Sequence, residues 1–331
     1  MLLSIIIPIY NEEEAFPFLL PALEKVLAEM ACEYEFIFVN DGSRDRSLEL
    51  LRQASRDPRI KVLSFSRNFG HQAAITAGLD FAEGDAIAVM DADLQDPPEI
   101  LREMVARYEE GYDVVSAQRA GRRSDTVFKR FTAAGFYWVM RTMVDRRLVP
   151  EVGDFRLFSR PALLALRAFR EQHRFMRGLV AWLGLKEAIV PFERKSRVAG
   201  ETKYPLRKML KFSWTAISSF SALPLRLSMA LGILFSLTGF GYLLYTLYVV
   251  YLRGNAVPGW ASVVVLQCLF SGATLFALGL VGDYIAKIFE ETKMRPLYVV
   301  DRTFNIDTEL PAASRAVVLR RPAERVTRGS S

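Results

Sequence analysis

The chain has 331 residues, 51% of them hydrophobic, with 43 Lys and Arg against 37 Asp and Glu and a formal net charge of +6. That length builds a sizeable core and more than one domain. The charge, in so apolar a chain, suits anionic head groups or phosphorylated substrates; no nucleic-acid-binding motif occurs, and Cys32 and Cys268 form neither a disulfide framework nor a zinc site.

The opening Leu2–Ile7 run is too short for a signal peptide and lacks a basic flank. The run Ser4–Ile9 predicts a first strand, followed by an amphipathic stretch over Glu13–Met30. Strand-like runs then alternate with helical ones: Phe36–Val39 with Asp45–Ser55, Lys61–Phe65 with Ala73–Phe81, Ala86–Met90 with Pro98–Tyr108, and a fifth strand at Val114–Ala117. Alternating β and α units predict a mostly parallel α/β sheet with helices on both faces. The short, continuously apolar strands agree, because parallel strands are buried on both sides.

Residues 118–200 are less regular. Thr126–Val144 is a mixed aromatic helix candidate, and Glu171–Leu185 alternates basic and apolar residues. Lys203–Phe220 carries Arg207, Lys208 and Lys211 among large apolar residues, the composition of a helix lying in a membrane interface. Leu227–Leu252 and Gly254–Gly282 then run for 26 and 29 residues without a charged side chain. Roughly 20 apolar residues cross a bilayer core as a helix, so each is a candidate span. Basic residues flank the pair (Arg226 before; Lys287, Lys293 and Arg295 after), whereas the loop between holds only Arg253. The positive-inside rule therefore predicts a multi-pass protein of the inner (plasma) membrane, with the first domain and both termini cytoplasmic. The divisions are a catalytic domain over 1–200, interfacial amphipathic helices over 201–225, a two-helix transmembrane hairpin over 226–287, and a cytoplasmic tail over 288–331. The polar, proline-interrupted residues 302–331 read as loosely ordered and without catalytic work.

Carboxylates cluster at predicted strand ends. The first strand leads into Pro8-Ile9-Tyr10-Asn11-Glu12 and the second into Asn40-Asp41-Gly42-Ser43. The fourth leads into Asp91-Ala92-Asp93-Leu94-Gln95-Asp96. Ligands of open α/β sheets bind outside the carboxyl ends of the strands. Paired hard oxygen donors there suit Mg²⁺ or Mn²⁺ shared with substrate phosphates. Asp41 also reads as a turn residue and Asp45 as a helix cap. Three acidic strand ends on one sheet point to a nucleotide site. Further on, Arg197 and Lys203 bracket a Gly-containing loop just before the interfacial helix, and two cations beside a membrane suit a lipid-borne phosphate. His71 and His173, the two histidines, form no recognisable triad or metal cluster and read as structural.

These motifs resemble the inverting, metal-dependent family 2 glycosyltransferases of the Rossmann-like GT-A fold. The sharper resemblance is to the polyprenyl-phosphate branch, carried by Ser66-Arg67-Asn68-Phe69-Gly70, Met90–Pro98, Asp154-Phe155-Arg156-Leu157 and Gly200-Glu201-Thr202-Lys203-Tyr204. That branch includes dolichyl-phosphate mannosyltransferase and bactoprenol glucosyltransferase. The resemblance implies a GT-A catalytic domain followed by interfacial helices and two C-terminal transmembrane helices. Pro8, Tyr10, Asn11 and Glu12 then belong to the nucleotide-sugar site. Asp41 contacts uracil or ribose, and Asp91 serves the ribose or metal side. Asp93 is the metal ligand with Gln95 beside it, and Arg67 and Arg119 contact the donor phosphates. Asp154 matches the family's catalytic aspartate, and Arg156, Arg197 and Lys203 offset its charge and hold the acceptor phosphate. The implied reaction moves one sugar, most simply glucose from a UDP-sugar, to polyprenyl (undecaprenyl) phosphate at the cytoplasmic membrane face, with the lipid bilayer as a partner and Mg²⁺ or Mn²⁺ as cofactor. Mannose from GDP-mannose, N-acetylglucosamine and a 4-amino-arabinose derivative remain alternative sugars, a homo-oligomer is admitted, and a non-catalytic membrane scaffold is the rival class.

Overall fold

The structure, a computed structural model, describes residues 1–119, 149, 151–193, 218, 221–253, 259–306 and 316–319. The helix candidate Thr126–Val144, Arg197, Lys203 and almost all of the predicted interfacial segment lie outside the described residues. The chain divides into two compact units: residues 1–210 with 294–331, and residues 211–293.

In the first unit, β1 (Leu2–Ile9), β2 (Glu33–Asn40), β3 (Ile60–Phe65) and β4 (Ala86–Val89) alternate with α1 (Phe16–Leu27), α2 (Ser47–Ala54) and α3 (His71–Phe81). After β4 come α4 (Ile100–Glu109), β5 (Val114–Arg119), β6 (Val152–Ser159), α5 (Arg160–Ala168), α6 (Met176–Leu183) and β7 (Glu187–Phe192). The described residues form a nine-stranded sheet with β8 (Tyr298–Phe304) and β9 (Ala316–Val318), in the order β7-β5-β6-β4-β1-β2-β3-β8-β9. Every β1 residue from Leu3 to Ile9 is buried, as a continuous apolar run covered on both faces requires. Ile5, Ile7 and Ile9 share a core with Phe16, Leu19 and Leu23 of α1 and with Leu101 and Met104 of α4. Ile6 faces the other way, where α3 approaches so closely that a Cβ on Gly78 would stand 2.1 Å from Ile6 Cγ2.

The sheet is parallel from β4 through β3, with two reversals. β6 inserts between β4 and β5 and runs antiparallel to both, and β8 runs antiparallel to β3. The chain winds outward from β1 through β2 to β3 and returns to β4 on the opposite side of β1. This reversal is a topological switch point, where the loops leaving β1 and β4 diverge and leave a crevice.

One expectation needs correction. Part of the predicted tail belongs to the sheet: residues 298–304 are β8, paired in register with β3 (Leu63 opposite Thr303), and β9 extends the sheet beyond it. Tyr298 is fully buried, stacked on Phe65 at 5.1 Å, and donates a 2.8 Å hydrogen bond to Asp80 of α3. Arg170 holds both oxygens of the same Asp80 at 2.7 and 2.8 Å. The proline-interrupted composition misled because β8 follows the long apolar helices, away from the alternating β–α units, and its pairing with β3 is a long-range contact.

The second unit contains α7 (Leu223–Arg253) and α8 (Trp260–Thr292), 31 and 33 residues long. Each has a stretch long and apolar enough to cross a membrane, over Leu223–Leu252 and Leu269–Thr292. Leu237, Phe240, Leu275 and Phe276 are among many large apolar side chains left exposed on them. A helix apolar all round needs either a protein core or lipid about it. Between the two helices, Phe235 and Phe270 meet edge to face at 5.9 Å.

Candidate active site

Strand direction brings the motifs together. β1, β2, β3, β4 and β5 all end at one edge, so Tyr10–Glu12, Asp41, Arg67, Asp91–Gln95 and Arg119 emerge there. β6 runs the other way and therefore begins at that edge. Its ladder with β4 pairs Val89 with Arg156, and the same register carried two residues further sets Asp91 opposite Asp154. The reversal of a single strand thus unites motifs more than 60 residues apart.

The loops of this edge are laced by side chains. The Asn11 N–H donates to Ser43 Oγ at 3.0 Å, and the Arg44 N–H donates to Asn11 Oδ1 at 2.8 Å. Glu12 N–H reaches Ser47 Oγ at 2.9 Å, while Asp45 accepts from the N–H groups of Glu13 and Ser47. Asn11 adopts a left-handed φ of 54° that asparagine tolerates. Gly42 has φ 66°, and a Cβ there would meet the Arg67 carbonyl carbon at 2.4 Å, so the turn must be glycine for the Ser66–Gly70 loop to pass. Tyr10 is 45% exposed and available to a stacking partner, whereas Pro8 is buried within β1 just past the end of its pairing with β4. Pro8 shapes the strand end and offers no surface to a nucleotide.

Asp41 is also reassigned in part. Its buried carboxylate accepts from the N–H groups of Phe69 at 2.7 Å and Gly70 at 3.0 Å, so it clamps the loop that carries Arg67. Burial pushes its carboxyl up in pKa, against those two backbone hydrogen bonds. Arg67 lies over the Phe69 ring at 4.0 Å, exposed and available. Arg119 lies 3.7 Å from Asp96, an ion pair that ties the end of β5 to the Asp91–Asp96 loop.

Asp91 is half-buried, and Asp93 Oδ1 accepts from the Gln95 N–H at 3.1 Å, the turn that aims the loop. Burial, reinforced by Asp154 and Asp93 and opposed by His71, raises the Asp91 carboxyl. The Gln95 Oε1 atom is buried and makes no hydrogen bond among the described residues. No cluster of three or more His, Cys, Asp or Glu among the described residues forms a closed metal cage. Two carboxylates and an unpaired amide oxygen fit an open Mg²⁺ or Mn²⁺ site, which takes few protein ligands and completes itself with phosphate oxygens and water.

Asp154 is 11% exposed and engages three side chains. Oδ2 accepts from His71 Nε2 and Gln72 Nε2, both at 3.2 Å, and Oδ1 from Arg177 Nε at 3.4 Å. Burial acts to raise its pKa, but the His71 hydrogen bond and the charges of Arg177, His71 and Arg156 prevail and hold it well below the usual carboxylate range. Arg156, on the same face of β6 and 3% exposed, is pushed down to about 10 by burial and stays cationic at neutral pH. Its Nε and Nη1 make no hydrogen bond among the described residues. His71, read above as structural, instead stands between two site carboxylates, with Nε2 3.6 Å from Asp91 Oδ1. With Gln72 and Arg177 it was missed because the chemistry lies in the neighbours. The available signal was position, since His71 opens the helix that follows β3 and so starts at the ligand edge.

The geometry gives a sheet edge with an open oxygen-donor site beside a carboxylate ringed by cations, and known proteins match it along both units. Residues 4–166 match the model of glycosyl transferase family 2, and residues 223–288 match that of the GtrB C-terminal hairpin. The uncharacterized glycosyltransferase YkcC of Bacillus subtilis is 48% identical over 92% of this chain and 95% of its own. The prophage bactoprenol glucosyl transferase homolog of Escherichia coli is 36% identical over 91% of this chain and 99% of its own. The SfII prophage-derived bactoprenol glucosyl transferase of Shigella flexneri is 35% identical over 92% and 98%. At such identity over nearly the whole chain, the protein is a glycosyltransferase and belongs to glycosyltransferase family 2.

Proposed function

We propose that the protein transfers a single glucose from UDP-glucose to a polyprenyl phosphate, with inversion, at the cytoplasmic face of the membrane. One observation carries this reading: a carboxylate-lined sheet-edge site shares a chain with a two-helix apolar hairpin. The bactoprenol glucosyl transferases it resembles over most of their length support a lipid phosphate as acceptor and glucose as the sugar.

In this reading Tyr10, Asn11 and Glu12 frame the nucleotide, and the Asp41 clamp presents Arg67 and the Ser66–Gly70 loop toward the diphosphate. Asp91, Asp93 and Gln95 would hold Mg²⁺ or Mn²⁺, which supplies Lewis-acid neutralisation of the leaving UDP. Arg119 keeps that loop in place through Asp96. Asp154 orients the acceptor and sugar more than it removes a proton. A carboxylate held so far below its usual range is a weak base, and a phosphate monoester, with a second pKa of ~6, is already largely dianionic at neutral pH. Arg156 and Arg177 offset the repulsion between Asp154 and such an anion, with Arg197 and Lys203 as further acceptor-phosphate candidates.

The membrane topology proposed is two crossings. β3 and β8 pair in one sheet, so the chain before α7 and the chain after α8 belong to the same unit; that supports an even number of crossings with both flanks cytoplasmic. The test is a panel of nucleotide sugars incubated with undecaprenyl phosphate, with and without Mn²⁺ or Mg²⁺. UDP-glucose should release UDP in a lipid- and metal-dependent way. Release that ignores the lipid overturns the acceptor, and preference for another sugar overturns the donor.

A further inference from the structure

Three donors from two helices converge on one carboxylate. His71 and Gln72 are the first residues of α3, and Arg177 lies in the first turn of α6. Gln72 is itself held, because its Oε1 accepts from the Met176 N–H at 3.2 Å, which turns its amide N–H₂ toward Asp154. Asp154 is an ionised acceptor, so the proton on the His71 ring that faces it must sit on Nε2. The same nitrogen is 3.6 Å from Asp91, close enough for charge attraction though too long for a hydrogen bond. The ring thus stands between the two carboxylates, 3.2 Å from one and 3.6 Å from the other.

We propose that His71 is a positioning residue of the transfer reaction: with Gln72 and Arg177 it fixes Asp154, and its ring sets the spacing between Asp154 on the acceptor side and Asp91 on the donor side. The proposal rests on the assignment of Asp91 to the donor and Asp154 to the acceptor. It adds a residue that works by holding two carboxylates in one geometry. Misplacing a reacting group by about 1 Å costs about 100-fold in rate, the scale on which such a spacer matters.

The test exploits the reach of the ring. Glutamine places its Nε2 the same number of bonds from Cα as histidine places its own, whereas asparagine can only mimic Nδ1. His71→Gln should therefore keep most of the wild-type kcat, while His71→Asn and His71→Ala should each lose about 100-fold. KM for both substrates and calorimetric binding of Mn²⁺ with UDP should change little in all three. Equal kcat in the Gln and Asn variants overturns the proposal, as does loss of Mn²⁺–UDP binding in step with kcat. Melting temperatures that fall in step with kcat make the residue structural and overturn it as well. The variants are compared on whichever nucleotide sugar the wild-type protein consumes. A wild type that ignores UDP-glucose thus overturns the donor reading and still tests His71, and one that consumes no nucleotide sugar overturns both.

Discussion

At the scale of single residues, the site divides into groups that face a ligand and groups that hold others still. Asp93 belongs to the first kind. Asp93→Asn keeps the side-chain shape but removes a charge from an open oxygen-donor site, and the lost stabilisation of a leaving diphosphate is worth several kcal/mol. We expect turnover to fall by about 10³-fold or more, at ~1.4 kcal/mol per decade, with the melting temperature unchanged. A purified variant with wild-type activity would remove Asp93 from the metal site. Asp154 is different because every partner it has is a donor. Asp154→Asn keeps an acceptor oxygen toward His71 and Gln72 but turns an N–H₂ toward Arg177; Asp154→Ala leaves all three donors unpaired, at about 1–3 kcal/mol for each buried one. The Asn variant should retain measurable transfer and the Ala variant should lose far more. Equal inactivity of both from pH 6 to 9, with donor binding intact, would show that the carboxylate charge itself is required and restore the general-base role.

At the scale of elements, what matters is how loops are held at the sheet edge. The first two β–α loops share a hydrogen-bond lattice through Asn11, Ser43, Asp45 and Ser47, and the loop after β3 hangs from Asp41. Gly42 is the hinge of this arrangement. Gly42→Ala meets both a left-handed φ of 66° and a backbone carbon at 2.4 Å, which no rotamer relieves. The strain alone costs about 1–3 kcal/mol, and the loop carrying Arg67 must shift. The variant should melt several degrees lower and show a raised KM for the nucleotide sugar with little change in KM for the lipid. An equal rise in both would mean that the loop serves the acceptor too.

At the scale of the whole molecule, the chain leaves its catalytic unit, forms two long apolar helices, and re-enters the same sheet. Tyr298 anchors the return through Asp80, which Arg170 also grips. Burial, with Asp80 beside it, raises the Tyr298 hydroxyl well above 10.0. The unfolded chain releases that proton near its ordinary value, and the folded chain keeps it. The folded state thus binds more protons above pH 10, and stability falls as pH rises from there toward the folded value. Thermal melts between pH 8 and 11 should show this decline, and Tyr298→Phe should flatten it while lowering stability at pH 8. Identical slopes in the two proteins would separate the tyrosine from the effect. The proposed two-crossing topology has its own check. In a cysteine-free background, Gly259→Cys, between α7 and α8, should react with a membrane-impermeant maleimide added outside intact cells, whereas a cysteine at Thr303 of β8 should not.

Much of this was legible without coordinates because it depends on local pattern. Apolar runs of strand length, the turn residues after them and two charge-free stretches are properties of neighbouring residues, and they defined the α/β class, the acidic strand ends and the hairpin. What neighbours in sequence do not encode is direction and register. The reversal of β6 between β4 and β5 set Asp154 across from Asp91, and only that pairing turned His71, Gln72 and Arg177 into parts of a site. Likewise β8, 7 residues of unremarkable composition, joined the sheet because β3 had an open edge to offer, a fact that exists only once β3 has been placed. Asp41 carries the same lesson in miniature. Its motif marked it as a ligand contact or a turn residue, and folding spent both oxygens on the backbone of a loop 28 residues away. Local chemistry chose the elements and the charged groups, while long-range hydrogen bonding and packing chose which of those groups face each other.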